Sequence, residues 1–348
     1  MALQEYECPA CGGAMEFNPK TQKLKCPYCD SEFNVKDYVA NHNSSSTGQA
    51  TESNTPGSEE MYIYSCGSCG GEILATESLG SLKCPFCSNN VVVKEKFTGE
   101  FKPDYIIPFK TTRDDAMATY EKYVKSKKLV PKVFFEKNHI DELKGIYVPF
   151  WLYDGVQDFN GTYECTKTRS WSDSRYNYRE TKYYEVIRSG TEKFEFVPVD
   201  GSKEMPDDLM ESLEPFDHNA IVPFNMGYLA GFLANKYNVS SDDCKKRAFD
   251  RMADSTANDF RNTISGYSSV RPVNEQCGTR DSSYKYALYP VYILNTTWNG
   301  KNYLFAMNGQ SGKFIGNLPW SPARAAKYYL AFAAVFSIIA FIVQFLFL

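Results

Sequence analysis

The chain has 348 residues, of which 43% are hydrophobic and 23% charged, with a formal net charge of −4. That balance sets it among folded globular proteins and excludes a strongly basic chain that would hold phosphate backbones by bulk charge. At this length more than one domain is expected.

Residues 1–39 carry the first of two copies of one pattern. Cys8, Cys11, Cys26 and Cys29 stand as C-x2-C, fourteen residues, C-x2-C, and Cys66, Cys69, Cys84 and Cys87 repeat it within 61–97. The neighbouring text repeats too, YECPACGGAMEF and KLKCPYC against YSCGSCGGEIL and SLKCPFC. Two residues between ligands turn the backbone into a knuckle that aims both sulfurs at one ion, and four thiolates complete a tetrahedron. Gly12 and Gly70 follow the second ligand, where a positive φ is cheap only for glycine, and Pro9, Pro27 and Pro85 stiffen the knuckles. The reading is two small β-rich zinc ribbons, each holding one structural Zn²⁺, because a full set of thiolates leaves no position for water or substrate. A unit of about forty residues cannot bury enough core to fold alone, so the metal would supply most of its stability. Disulfides within each repeat, or redox C-x-x-C chemistry, are the alternatives to metal.

Residues 40–60, ANHNSSSTGQATESNTPGSEE, hold almost no apolar side chain and read as a flexible linker between the ribbons. Residues 98–319 then read as one larger α+β domain rich in aromatic residues. Helical spacing predicts a helix near 113–128 capped by Thr112, and another near 242–263 capped by Ser241 with Cys244, Ala248, Met252 and Phe260 inward. DYIIPFK, GIYVPFWLYD, YEVIRSGTEKFEFVPV, AIVPFN and YALYPVYILNTTW read as strands, and Asn160-Gly161, Asn299-Gly300 and Asn308-Gly309 as hairpin turns. Helix, GIYVPFWLYDG and an NG turn, set against helix, KYALYPVYIL and an NG turn, suggest two related halves.

No catalytic constellation emerges, and an enzyme is not expected. The three histidines, His42, His139 and His218, have no partner motif. GQSGKF at Gly309–Phe314 has Ala306 where a phosphate loop needs its first glycine and Phe314 where it needs a hydroxyl, so 310–313 reads as a hairpin tip. Cys165, Cys244 and Cys277 are isolated and read as ordinary thiols. Zinc ribbons raise the question of nucleic acid, but Lys20, Lys23, Lys25 and Lys36 face Glu5, Glu7, Glu16, Asp30, Glu32 and Asp37, a net of −2. The counterweight is the strip 167–193, where Arg169, Arg175, Arg179, Lys182 and Arg188 alternate with Trp171, Tyr176, Tyr178, Tyr183 and Tyr184. It suits single-stranded nucleic acid or anionic headgroups, or is simply an exposed hairpin with charged and aromatic faces.

Residues 321–348 read as a helix whose part Tyr328–Leu348 crosses a membrane. Those 21 residues rise about 31 Å, the thickness of the hydrocarbon core, and only Ser337 and Gln344 are polar. Ser321 suits the cap and Pro322 the first turn. Arg324 and Lys327 precede the span and no secretory signal opens the chain, so a single-pass, tail-anchored protein with its bulk in the cytoplasm is expected. Ala333, Ser337, Ala340 and Gln344 share one helix face, a packing surface for another transmembrane helix.

VPFWLYDG and FAMNGQSGKFIG, between the cysteine repeats and the apolar end, resemble a family of Gram-positive bacterial zinc-ribbon proteins with C-terminal membrane anchors, often labelled PriA-like helicases or phage replication proteins. The chain carries no ATP-binding loop to support the helicase label, and it runs to Leu348 after one apolar segment, where a two-helix anchor would need a second. What the resemblance implies is an adaptor that brings cytosolic partners, a PspA-type envelope-stress protein foremost, to the inner face of the cell membrane. The ribbons are the expected partner-binding parts, and a membrane-tethered nucleic-acid-binding protein working through the ribbons and the strip 167–193 is the alternative.

Overall fold

The structure, a computed structural model, describes residues 6–38, 61–76, 84–87, 92–96, 102–135 and 143–347. The expected linker at 40–60 lies outside them. The first cysteine repeat carries β1 (Glu16–Asn18), β2 (Lys23–Lys25) and β3 (Glu32–Asn34), a small antiparallel sheet. The second carries β4 (Met61–Ser65), β5 (Glu72–Thr76) and β6 (Val92–Lys96). There follow β7 (Tyr105–Ile106), α1 (Arg113–Ser126), β8 (Lys144–Ser172), β9 (Asn177–Asp200), α2 (Asp207–Leu213), β10 (Val222–Pro223), β11 (Leu233–Asn235), α3 (Ser241–Asn262), β12 (Ser269–Trp298), β13 (Lys301–Asn308), β14 (Phe314–Gly316) and α4 (Pro322–Phe347). Among the described residues one sheet runs β10-β7-β12-β8-β11-β5-β4-β6, with β13 and β14 branching from β12 and β9 from β8. The strands of the second ribbon are thus the end of the main sheet. β7 lies parallel to β12, and β11 parallel to β8, on either side of the antiparallel β8–β12 ladder.

Local chemistry sets the helix starts. Thr112 and Asp115 cap α1 reciprocally, the Thr112 hydroxyl accepting from the Asp115 N–H and the Asp115 carboxylate from the Thr112 N–H at 3.0 Å. The helix expected to be capped by Ser241 begins one residue earlier, because the Ser240 hydroxyl accepts from the Asp243 N–H. Ser241 is buried instead, and its carbonyl accepts the Tyr153 hydroxyl.

β8, β9 and β12 run 29, 24 and 30 residues, far beyond the usual five or six, roughly, of a globular strand. Burial along β8 shows why. Ile146–Tyr153 are continuously buried, as in a strand covered on both faces. From Gly155 to Cys165 alternate residues are buried, because α3 covers one face only. β8, β9 and β12 leave the core as a three-stranded arm, and beyond Thr166 the bare hairpin of β8 and β9 continues without β12.

The exit is marked by irregularities at one level of all three strands. The β8–β9 register shifts between Tyr153 and Gly155, the β8–β12 register between Arg280 and Ser283, and Phe196 and Asp281 take positive φ. Such bulges bend and twist strands. Asp154 holds the bend, accepting from the Phe196 N–H at 2.9 Å and facing Lys285 at 3.8 Å.

The expected turn at Asn160-Gly161 is overturned by this arm. Both residues lie mid-strand, paired with Gln276 and Glu275 on one side and Ser189 and Arg188 on the other. Ladder hydrogen bonds on both edges outweigh a local turn preference, and Gly161 is there for space: a Cβ would lie 2.7 Å from the Phe159 ring. Asn299 and Gly300 do form the β12–β13 hairpin, with φ of 51° and 72°, the pair of positive angles that a type I′ turn needs.

α3 is pinned over the arm by ion pairs and aromatic packing. Arg247 reaches buried Asp200 at 2.7 Å, Asp207 at 2.7 Å and Glu211 at 3.0 Å, while Arg251 grips Glu214 at 2.6 Å. Burial pushes the Asp200 carboxyl up to about 6 despite the facing guanidinium. Further out, Phe260 stacks on Phe159 at 4.6 Å, and Arg261 holds Glu275, which also accepts the Tyr163 hydroxyl. Arg247→Met should lower stability by about 3 kcal/mol, since it leaves Asp200 buried without its cation. Adding Asp200→Asn should restore part of that loss. Denaturant unfolding of the detergent-solubilised chain reads both, and a single variant as stable as the parent would show that this bridge does not seat α3.

Candidate metal centres and an exposed aromatic arm

The eight expected ligands come together as two tetrads. Cys8 Sγ lies 3.5 Å from Cys29 Sγ, and Cys11 Sγ 3.5 Å from Cys26 Sγ. Cys66 and Cys87 are 3.4 Å apart, Cys69 and Cys84 3.6 Å. Within each tetrad all four sulfurs fall within 4.8 Å of one another. A disulfide requires about 2.05 Å, which removes that alternative. A tetrahedron with metal–sulfur bonds of about 2.3 Å has edges of about 3.8 Å, so each group can hold one metal ion.

The knuckles are built as the spacing demands. Gly12 N–H donates to Cys8 O at 2.8 Å and Gly70 N–H to Cys66 O at 2.9 Å, with φ of 72° and 78°. In the Cys26–Cys29 knuckle Asp30 stands in the same place at φ 59°, its N–H bonded to Cys26 O and its carboxylate to Lys25 at 2.9 Å. The second glycine of each CGG has another cause. A Cβ on Gly13 would lie 2.4 Å from the Tyr28 ring, and one on Gly71 3.0 Å from the Phe86 ring. The aromatic residue of each later knuckle therefore lies over the earlier one, a pairing visible in sequence as CGG matched with CP[YF]C.

The thiols differ in acidity. Hydrogen bonds with Ser31, from its hydroxyl and its backbone, bring Cys29 down to about 6. Burial opposes ionisation of Cys66, yet the N–H groups of Cys69 and Ser68 draw it down to about 7. Cys11 has the Gly13 N–H favouring its thiolate, but the crowding sulfurs of Cys29 and Cys26 hold it up at about 12, and burial raises Cys69 to about 11. Cys29 and Cys66 are thus the thiolate-prone members of their tetrads, whereas Cys11 and Cys69 would give up protons to a cation, so metal uptake should release protons and weaken in acid.

Both ribbons use an inner face against this same chain. Phe17 N–H donates to Ala230 O at 3.0 Å, its ring meets Tyr228 edge-on at 5.2 Å, and Gln22 donates to Phe109 O at 2.7 Å. In the second ribbon β5 pairs with β11, and Glu72 bridges Lys236 at 3.1 Å. The outer faces remain open, with Cys11, Cys29, Cys69 and Tyr28 exposed.

The strip 167–193 forms the distal part of the arm, and its turn is ordered. Asp173 accepts from the N–H groups of Arg175 and Tyr176 at 2.8 and 2.7 Å and from the Tyr178 hydroxyl at 2.9 Å, which holds its carboxyl below the usual range. Trp171 and Tyr178 are cross-strand partners stacked at 5.5 Å, with the Arg169 guanidinium 5.5 Å over the indole. Seven Lys and Arg face four Asp and Glu over 167–193.

The remaining motifs fall into place. Residues 309–312 turn between β13 and β14, Asn308 Oδ1 accepting from the N–H groups of Gln310 and Ser311, and Lys313 donates to Glu214 O. That is a docked hairpin tip. His218 packs between the rings of Phe196 and Tyr289, and burial lowers its pKa. His42 and His139 lie outside the described residues. Cys165 and Cys244 are buried and Cys277 is exposed. α4 is long and apolar enough to cross a membrane over Pro322–Phe345, and Ala333, Ser337, Ala340 and Gln344 are exposed on it. The Ser321 hydroxyl accepts from the Arg324 N–H at its start.

The chain is similar to the uncharacterized protein YdjG of Bacillus subtilis (strain 168). The two are 28% identical over 328 residues, 94% of each. At that length the likeness to YdjG runs through the α+β region and is not confined to the cysteine repeats. No protein-family model matches the chain, and no solved structure does.

Full-length protein purified in detergent should carry two equivalents of metal per chain by elemental analysis. Cys26→Ser with Cys29→Ser should leave one, with the four thiols of Cys66, Cys69, Cys84 and Cys87 protected from alkylation until a chelator is added and those of Cys8 and Cys11 open to it. A metal-free chain, or one that loses both ions together, would contradict two independent tetrads.

Proposed function

We propose that this protein is a membrane-anchored zinc adaptor that holds a cytosolic protein partner at the inner face of the cell membrane and catalyses no reaction. The observation that carries the reading is the layout of β12. At its Trp298 end, Phe134 packs on Trp298 and Arg324 of α4 lies over Phe135, so the anchor starts there. At its Ser269 end stands the arm. Thirty residues at about 3.3 Å each separate the two ends by up to roughly 95 Å of strand. An ordered aromatic platform held that far from the anchor suits capture of a partner in solution.

The ions are best read as zinc, since four thiolates in a tetrahedron suit Zn²⁺ and no redox partner is needed for a structural role. Thiolate ligands must stay reduced to hold zinc, which fits a reducing compartment and thus a cytoplasmic bulk. The family resemblance points to a PspA-type coiled-coil protein as the partner. The mirrored placement of β7 beside β12 and β11 beside β8 supports descent from a duplicated β–α–β unit. A second reading, nucleic acid stacked on Trp171 and Tyr178, is favoured by Arg169 over the indole.

Gentle detergent extraction of tagged full-length protein tests the choice. Trp171→Ala with Tyr178→Ala should reduce recovery of the protein partner at least tenfold, as loss of a central aromatic anchor costs about 2 kcal/mol. Platform-dependent recovery of nuclease-sensitive material without a protein partner would establish the second reading. Partner recovery indifferent to both the platform and the tetrads would sink the adaptor.

A further inference from the structure

At the root of α4 the surface folds into a cavity of about 530 Å³, lined among others by Tyr123, Lys127, Lys128, Leu129, Asn317 and Trp320. Its wall is tied to the anchor. Ser321 N–H donates to Leu129 O at 2.7 Å, Arg324 donates to Val130 O, and the Arg324 guanidinium lies 5.3 Å over Phe135. The other wall is tied to α1, where the Tyr123 hydroxyl donates to Gly316 O at 2.7 Å. A loop bonded to the first turn of a spanning helix is held at headgroup depth, whichever side of the bilayer it faces.

The lining suits that depth. Leu129 is 39% and Trp320 63% exposed, costly in water and favourable at the interface between headgroups and acyl chains. Two lysines enter it, Lys127 resting over the Tyr123 ring at 5.4 Å, and no carboxylate lines it among the described residues. The one acid near by on α1, Glu121, is paired with Lys125 at 2.6 Å.

We propose that this cavity binds the phosphate headgroup of an anionic phospholipid, with Lys127 and Lys128 facing the phosphate and Leu129 and Trp320 the first methylenes. The proposal rests on the membrane-anchor reading above. Its chemistry differs from that of the arm, whose cations lie at the other end of β12.

Full-length protein in nanodiscs of mixed phosphatidylglycerol and phosphatidylcholine, released for native mass spectrometry, tests it. The parent should retain phosphatidylglycerol in preference to phosphatidylcholine. Lys127→Gln with Lys128→Gln should cut that preference about 30-fold, about 2 kcal/mol for two juxtamembrane lysines, whereas Lys125→Gln should not change it. Retention unchanged in the double variant overturns the site, as does an equal fall in Lys125→Gln, which would mean bulk charge alone. Displacement of the lipid by millimolar glycerol phosphate would assign the cavity to a soluble phosphate and overturn the lipid. Failure of the parent to enter these nanodiscs would remove the anchor itself and this site with it, an outcome distinct from incorporation without lysine-dependent retention.

Discussion

The antiparallel ladder of β8 and β12 is the constraint on which the rest depends. It runs in register, apart from its bulges, from Lys144 opposite Ile293 to Thr166 opposite Ser269. In the core its side chains are large and interlocked: Phe150 stacks on Tyr289 at 4.5 Å, and Tyr147 and Tyr292 both close on Phe109. Tyr292 and Tyr153 are tolerable in the core because their hydroxyls reach carbonyls of adjoining segments. The same two strands that make the core also make the arm, so a rigid core becomes a rigid lever with no hinge loop between them.

The tetrads act on that ladder through one segment, Gly227–Lys236. The first ribbon grips its front half: Val35 packs so closely on Gly227 that a Cβ there would lie 2.7 Å away, and Phe17 meets Tyr228 and Ala230. The second ribbon grips its back half, pairing Leu74 with Ala234 and Ile73 with Asn235. β11 has three residues, too few to stay paired with β8 unaided. Beyond it the chain enters α3, which covers the arm. Metal closure of two small ribbons would therefore reach the arm through covalent continuity and ladder bonds, shaping a surface that the ions do not touch.

Much of this was legible in the residues. Cysteine spacing specified both tetrads, because a ligand set is a local pattern repeated. The apolar run specified α4, and Thr112 with Asp115 specified the start of α1. What the sequence hid was non-local. Asn160-Gly161 looks like a turn until two partner strands are supplied. The ribbons look like free modules until Phe17 and Leu74 are seen to pair with residues more than a hundred positions later. Lys127 and Lys128 look like an ordinary helix end until Ser321 brings the anchor beside them. Local chemistry wins where a motif is self-contained and loses where sheet pairing decides.

The arm itself allows a sharper division than a basic strip. β9 is an edge strand over Asn177–Phe194, and an edge invites pairing with another chain unless charge protects it. Arg179, Glu180, Lys182, Glu185, Arg188, Glu192 and Lys193 supply that protection, with opposite charges set against each other, as Arg169 is opposite Glu180 and Lys182 lies 3.6 Å from Glu180. Mixed charge along an edge is explained by solubility alone. Trp171, Tyr176 and Tyr178 are not, since exposing aromatic faces at the tip, 45%, 65% and 40% of each residue, works against solubility. Asp173 fixes their turn through three hydrogen bonds, and Arg169 covers one ring. Ordering exposed aromatics in advance lowers the entropy lost on binding, and gains nothing in a chain that binds nothing there. Charge along the stem fits edge protection, although Tyr183 and Ile187 are exposed there too, and the ordered tip is the part that fits the recognition surface proposed above.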